Sequence, residues 1–118
     1  MSRRSFLGRE AASFACAFRG IADLLRSEAH ARIHLLATVA ALALGWWKPL
    51  SATGWAVLIL AIGMVWTAEA INTAIERMAD VAHPDEHPEV GKLKDLAAAA
   101  VLLASTAALG VGVCLFLW

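Results

Sequence analysis

The residues best suited to chemistry lie in one short segment, residues 69–80, which reads E-A-I-N-T-A-I-E-R-M-A-D. Its polar members include Glu69, Asn72, Glu76 and Asp80. On a helix of 3.6 residues per turn, these four positions fall within an arc of about 80°, so they share one face. Carboxylates on one face can accept a proton, and carboxylate and amide oxygens together can bind a hard cation.

An uncharged run of seventeen residues, 52–68, precedes this segment. Such a run reaches most of the way across a bilayer. Glu69 is therefore expected where a membrane-spanning helix becomes polar. Because a carboxylate at that depth is costly unless it is paired, protonated or coordinating, a functional site is the default interpretation.

The composition of the whole chain indicates an all-α membrane protein. Hydrophobic residues make up 60% of the 118 residues, and the mean hydropathy is +0.67. Formal net charge is zero, so no overall attraction to nucleic acid is expected. The length fits one domain, residues 1–118.

Hydrophobic patterning divides this domain into four helical segments. The apolar residues Phe14, Phe18, Ile21 and Leu25 recur at helical spacing, which predicts an amphipathic helix in the membrane interface. Three apolar runs predict three spans. The expected segments are an interfacial helix at 5–28, a first span at 33–50, a second span at 52–71 that continues as a cytoplasmic helix to about 82, and a third span at 95–118.

The first span is the least well defined. Its apolar run, 33–47, is short for a full crossing and ends in two tryptophans typical of a membrane interface. Either the helix takes in Leu50, or it begins upstream with Arg32 reaching back to the interface. The sequence leaves both alternatives open.

Basic residues predict the orientation. Nine of the ten Lys and Arg residues precede the first span or lie between the second and third spans, and Lys48 lies on the opposite side. The positive-inside rule then places the N-terminus and the second loop in the cytoplasm. All ten acidic residues fall on that same side, where nucleotides and metal ions are available.

Several carboxylates near a lysine suit Mg²⁺ and a polyphosphate. Glu28, Glu69 and Glu76 offer hard oxygen ligands, and Lys94 offers a compact positive charge for phosphate oxygens. Phosphoryl transfer is therefore plausible. The sequence has no Gly-x4-Gly-Lys-Ser/Thr loop, so helix side chains would have to build any nucleotide site.

Two motifs give the chain a family resemblance. The core Glu-x-x-Asn-Thr-Ala-Ile-Glu at 69–76 and the Lys-Asp pair at 94–95 resemble the prokaryotic diacylglycerol kinase and undecaprenol kinase family. The resemblance covers nearly the whole chain, including Gly20 and Glu28-x-x-x-Arg32. It implies three spans plus a surface helix, assembled as a homotrimer in the bacterial inner membrane, with active sites shared between subunits at the cytoplasmic side.

The resemblance also implies roles for individual residues. Glu69 is the expected general base for a lipid hydroxyl, and Asn72 would orient this glutamate or a water. Glu28 and Glu76 match the positions that hold the Mg²⁺ of Mg-ATP, and Asp80 would support the polar face. Nucleotide-contacting positions are Arg9, Asp85, Glu86, His87, Lys94 and Asp95, together with the metal-binding Glu28 and Glu76; lipid-contacting positions are Arg9, Glu69 and Ala98.

Some features leave alternatives open. The small residues 97–100 suit close helix packing or contact with a lipid chain. Arg32-Ile33-His34 resembles the undecaprenol kinase branch, whereas enterobacterial diacylglycerol kinases carry an acidic residue in place of His34. The lipid therefore stays open between diacylglycerol and undecaprenol, and His34 is a hypothetical determinant of that choice.

A different functional class is also compatible with the polar face. Glu69 and Asn72 inside a small oligomeric bundle could line a proton or cation channel, or belong to a transporter subunit. A pore has no use for a cytoplasmic nucleotide site, so Glu28 with Lys94 and Asp95 favours the kinase.

Overall fold

The computed structural model describes residues 3–118, with side chains from residue 5 onward. Arg3 and Arg4 were counted above among the cytoplasmic basic residues, and their side chains lie outside this description. Across the described residues the chain forms four α-helices, so the all-α prediction is confirmed. The helices are α1 (Arg3–Ser27), α2 (Ala29–Trp47), α3 (Ala52–Ala82) and α4 (Pro88–Phe116).

Three of these helices can cross a membrane. The helices α2, α3 and α4 contain 19, 31 and 29 residues, and each is apolar enough to span a bilayer. Their number agrees with the three predicted spans. Many of their large apolar side chains face outward, as expected of helices that meet lipid or another subunit.

Local sequence signals explain where the helices begin and end. Helix α2 begins upstream of the apolar run, at Ala29, and stops at Trp47, so Leu50 lies outside it. Pro49 then prevents the helix from continuing. The Ser51 hydroxyl accepts a hydrogen bond from the Gly54 amide at 3.1 Å and caps α3.

Helix α4 begins earlier than the uncharged run does. Its first residue is Pro88, and the preceding His87 caps it by accepting a hydrogen bond from the Glu89 amide at 3.2 Å. Proline is favoured in the first turn because its missing N–H would have no intrahelical partner there. Residues 88–94, which contain Glu89, Lys92 and Lys94, are therefore helical and extend α4 on the N-terminal side of the expected third span.

Helices α3 and α4 form the main packed pair and run antiparallel. Gly54 lies close to Leu115 at one end, and Asp80 pairs with Lys94 at the other. Buried alanines lie on both helices, at Ala61 on α3 and at Ala97 and Ala104 on α4. Small side chains of this kind permit close approach of membrane helices.

Helix α1 is joined to the bundle at a tight corner with α2. The Arg32 guanidinium donates to the carbonyl oxygens of Leu25 at 3.4 Å and Arg26 at 2.7 Å, near the last turn of α1. Helix ends leave such carbonyls without intrahelical partners. Leu24 is buried here at 6% exposure, whereas Phe14 and Phe18 are exposed.

Candidate functional site

The enclosed part of the site is centred on Glu69. This residue belongs to α3 and is 3% exposed. The Nε2 atom of His34, on α2, lies 3.3 Å from Glu69 Oε2, and the His34 side chain is 16% exposed. A buried carboxylate is costly unless another group pairs with it, and His34 supplies such a group from a neighbouring helix.

A chain of hydrogen bonds fixes the surroundings of His34. The Thr38 hydroxyl donates to the His34 carbonyl at 2.7 Å and accepts from the Trp66 indole N–H at 2.9 Å. The Trp66 ring meets the His34 imidazole edge-on, with centroids 6.3 Å apart. This contact ties α2 to α3 one turn from Glu69.

An apolar groove of about 420 Å³ lies beside this pair, between α2, α3 and α4. Its polar lining side chains are His34, Thr38 and Ser105. Within the described part of the chain, the buried Ser105 hydroxyl has no hydrogen-bond partner. Alanine, leucine and other apolar side chains form the rest of the lining, so the groove can accept an apolar chain.

One turn further along α3, Asn72 and Glu76 face each other. The Asn72 amide nitrogen donates to Glu76 Oε1 at 3.4 Å. The Asn72 Oδ1 atom is buried and has no hydrogen-bond partner among the described residues. Thus an amide oxygen and a carboxylate, both hard donors suited to Mg²⁺, lie one turn apart.

Glu28 lies at the corner between α1 and α2, in an extended backbone conformation. Its Oε1 atom is 3.8 Å from Arg77 Nη2, and the side chain is 28% exposed. Arg77 also hydrogen-bonds Asp23 and Ser27 of α1. The predicted metal-binding Glu28 is therefore brought to the polar end of α3, beside the residue that follows Glu76.

The contacts of Arg77 could not be found from the polar face alone, because Arg77 projects from a different side of α3 than Glu76 does. A weak signal was available in α1, where Asp23 and Ser27 are spaced i, i+4 and so share a face. Trp66 and Thr38 were also missed, since an indole and a hydroxyl inside apolar runs usually serve packing.

A second, open cleft of about 490 Å³ lies where α3 ends and α4 begins. Five of the residues singled out from the sequence line it: Asp80, Asp85, Glu86, His87 and Lys94. Lys94 and Asp80 form an ion pair across the two helices, with side chains 36% and 64% exposed. The cleft is mixed in charge and open to solvent.

Three predicted site residues belong neither to the surroundings of Glu69 nor to the open cleft. Arg9 is exposed on α1, and Asp95 and Ala98 are exposed on α4. The polar arc of α3 is also divided between neighbours, because Glu69 meets α2 whereas Asp80 meets α4. Exposure rises along it from the buried Glu69, through the half-buried Asn72 and Glu76, to the exposed Asp80.

The donor set near Glu28 and Glu76 fits Mg²⁺ better than a transition metal. Among residues 3–118, no three His, Cys, Asp or Glu side chains gather into a metal-binding group. Mg²⁺ is usually held by one or two carboxylates together with substrate phosphates and water. Glu76 and the unpartnered oxygen of Asn72 offer two such oxygens one turn apart, and Glu28 lies at the corner beside Arg77.

Comparison with known proteins assigns this chain to a family. The model of the prokaryotic diacylglycerol kinase family matches residues 15–116. The chain is 35% identical over 114 residues to an undecaprenol kinase of Bacillus subtilis, covering 97% of this chain and 93% of the relative. It is 38% identical to a diacylglycerol kinase of Synechocystis, covering 89% of this chain and 61% of the relative.

A third relative is a diacylglycerol kinase of Escherichia coli, 30% identical over 86% of this chain and 82% of the relative. These relatives are kinases, and they are named for two lipid alcohols. The chain belongs to the prokaryotic diacylglycerol kinase family and is a phosphotransferase with an alcohol group as acceptor.

Proposed function

We propose that this lipid kinase transfers the γ-phosphoryl group of Mg-ATP to the hydroxyl of diacylglycerol or undecaprenol. The observation that carries the proposal is the buried carboxylate of Glu69 beside an apolar groove, on the helix that leads to the open polar cleft. A lipid hydroxyl and a nucleotide could approach such a carboxylate from different sides. Family membership supports the lipid acceptor.

Glu69 is the general base in this proposal. The lipid oxygen forms a bond to the γ-phosphorus, the bond to the ADP oxygen breaks, and the lipid proton passes to the Glu69 carboxylate. Base catalysis of this kind contributes about 10²- to 10⁴-fold. Asn72, one turn away, would orient the glutamate or a water.

Glu28 and Glu76 would hold Mg²⁺, with Asn72 Oδ1 as an available neighbouring oxygen. When bound, the ion neutralises charge on the transferring phosphates. The 3.8 Å approach of Arg77 to Glu28 keeps that carboxylate near the end of α3. Asp80 supports the same polar face through its pair with Lys94.

The open cleft is the proposed nucleotide site. Lys94 supplies the positive charge for phosphate oxygens, and its exposed pair with Asp80 is weak enough to exchange for a phosphate. His87 and the two loop carboxylates can hydrogen-bond ribose or base. The proposed nucleotide contacts are Arg9, Asp85, Glu86, His87, Lys94 and Asp95, with Glu28 and Glu76 through the metal ion.

The acceptor lipid is either diacylglycerol or undecaprenol, since one relative is an undecaprenol kinase and another is a diacylglycerol kinase. Arg9, Glu69 and Ala98 are the proposed lipid contacts, and the exposure of Ala98 suits a surface open to the bilayer. His34 lines the apolar groove and is the proposed determinant of lipid choice. Exchange of its imidazole for a carboxylate in His34→Glu should change the ratio of the two activities.

The positions of the proposed contact residues favour a homotrimer in which neighbouring subunits share each site. Arg9, Asp95 and Ala98 lie apart from the two groups formed within one chain, and a second subunit could bring such residues to the site. We place the assembly in the bacterial inner membrane, with α1 on the cytoplasmic surface. Mixing inactive Glu69→Gln and Glu28→Gln subunits should restore activity if sites are shared, and no restoration would contradict sharing.

The decisive experiment measures ATP-dependent phosphorylation of diacylglycerol and undecaprenol side by side in mixed micelles with Mg²⁺. We expect transfer to at least one lipid by the native protein and its loss in Glu69→Gln. Omitting Mg²⁺ should abolish transfer. Failure of the native protein to phosphorylate either lipid would contradict the proposal, and ion flux in liposomes would then test the channel hypothesis.

A further inference from the structure

Glu69 is buried against a histidine rather than exposed to solvent. Its side chain is 4% exposed, and a contact at 3.3 Å joins its Oε2 atom to Nε2 of His34 on the neighbouring helix. An anionic carboxylate in these surroundings needs a hydrogen-bond donor to offset its lost hydration. The imidazole N–H is the group that the fold brings within reach.

The imidazole packs against Trp66, and Trp66 is itself anchored to α2 by a hydrogen bond to Thr38. The contact between the two rings is edge-on, and the Thr38 hydroxyl also donates to the His34 carbonyl. A histidine whose ring is packed in this way can impose an orientation on its partner. The backbone attachment of Glu69 on α3 supplies the other fixed point.

The contact uses one carboxylate oxygen. Nε2 meets Oε2, which leaves Oε1 for a second partner. A general base needs this division, because one oxygen must stay free to receive the substrate proton while the carboxylate keeps its direction.

We propose that His34 is the positioning residue of Glu69: its Nε2–H donates to Oε2 and directs Oε1 toward the lipid hydroxyl. The inference rests on the proposed role of Glu69 as general base. During transfer the lipid proton moves to Oε1 while His34 keeps its own proton. His34 thus acts on the reaction through Glu69 whichever lipid is bound, a role separate from its proposed part in the choice of lipid.

A matched set of variants separates positioning from packing. In His34→Gln the side-chain amide nitrogen can reach the place of Nε2, whereas the shorter His34→Asn cannot, and His34→Leu keeps bulk without a donor. His30→Leu, at an exposed position one turn earlier on α2, is the control. For each variant, kcat and the KM values for ATP and lipid are measured, together with the thermal unfolding midpoint.

We expect kcat to fall about 10- to 100-fold in His34→Asn and His34→Leu, the loss typical of a hydrogen bond to a charged group. His34→Gln should lose less than about threefold, a rescue that packing alone would not give. The KM values should stay close to those of the native protein, whereas the unfolding midpoint should fall in His34→Asn and His34→Leu, because each leaves the buried carboxylate without its donor. A kcat for His34→Leu equal to that of the native protein would overturn the inference.

The dependence on Glu69 is tested in a double-mutant cycle. In a Glu69→Gln background, His34→Leu should cause no further loss, because residues that act as a unit are not additive. Equal losses in both backgrounds would show that His34 acts independently of Glu69 and would overturn the inference.

A spectroscopic measurement keeps the inference testable apart from kinase activity. The chain has four histidines, so ¹⁵N-histidine labelling gives a small set of imidazole signals that single substitutions can assign. We expect His34 to carry its proton on Nε2, and Glu69→Gln to shift the His34 signals without moving those of His83 or His87. A His34 protonated on Nδ1 alone cannot donate to Glu69, and that result would overturn the inference even in an active kinase.

Discussion

The two polar regions of this protein treat their charged groups in opposite ways. In the enclosed region Glu69 is 3% exposed and faces His34 beside an apolar groove. In the open cleft the Lys94 and Asp80 side chains are 36% and 64% exposed. The first region holds one carboxylate in a buried, largely apolar environment. The second region presents exposed charges that can exchange their partners for a soluble ligand.

This difference in exposure suggests that the two regions have different roles. Removing a buried partner leaves an uncompensated polar group, whereas an exposed ion pair contributes only about 0–1 kcal/mol. The enclosed region therefore suits the chemical step, and the open cleft suits a nucleotide that must bind and leave. Substitutions of equal chemistry in the two regions should differ sharply in effect.

The largest contrast is expected from one substitution made at two positions. Glu69→Gln should lower kcat on the order of 10²- to 10⁴-fold, because the amide cannot accept the lipid proton. Glu89→Gln, at a carboxylate 72% exposed in a pair with Lys92, should leave kcat unchanged. Lipid phosphorylation rates measure both. Similar losses in the two variants would show that burial of the carboxylate does not determine the effect on kcat.

Lys94→Met should act on binding more than on chemistry. Loss of a charge-assisted contact to phosphate should raise the KM for ATP about 10- to 100-fold with a smaller change in kcat. Lys92→Met, at a side chain 70% exposed, is the matched control and should leave the KM for ATP unchanged. If Lys94→Met changed kcat alone, the open cleft would not be the nucleotide site.

The packing of α2, the helix that carries His34, can be disturbed near its C-terminal end, at Gly45. A Cβ at Gly45 would lie 2.9 Å from Trp55 Cη2 and 3.2 Å from Leu50 Cδ1. Gly45→Ala should therefore destabilise the fold by about 1–3 kcal/mol, as overpacking does. Reversible unfolding in detergent measures the change. Gly110→Ala is the control, because its new Cβ would meet no described atom within 4 Å beyond its chain neighbours and its own helix backbone. Equal destabilisation there would contradict this account.

The smallest effect is expected from the link between Thr38 and Trp66. Thr38→Val removes the 2.9 Å hydrogen bond and should cost about 0.6 kcal/mol, a typical value between membrane helices. Thr106→Val removes only a hydroxyl that donates to Leu102 on the same helix. The two free energies of unfolding should differ by that amount, and a larger loss for Thr106→Val would show that the interhelical bond is unimportant.

Much of the helical framework and of the candidate site could be predicted from the sequence, because both depend on near neighbours in the chain. Apolar runs predicted three spans, and the second was expected to begin at residue 52, where α3 does begin after the capping Ser51. The 3.6-residue period placed Glu69, Asn72 and Glu76 on one face, and the motif they form indicated the family that the comparisons establish.

Only the tertiary structure decided which partner each polar group meets. Glu69 meets His34 of α2, and Arg77 reaches Asp23 across 54 residues of sequence. Such contacts depend on how neighbouring helices are rotated and shifted along their axes, which is set by close packing between them, as at Gly45 and Trp55. A helix period defines a face, but it carries no information about the helix that this face will meet.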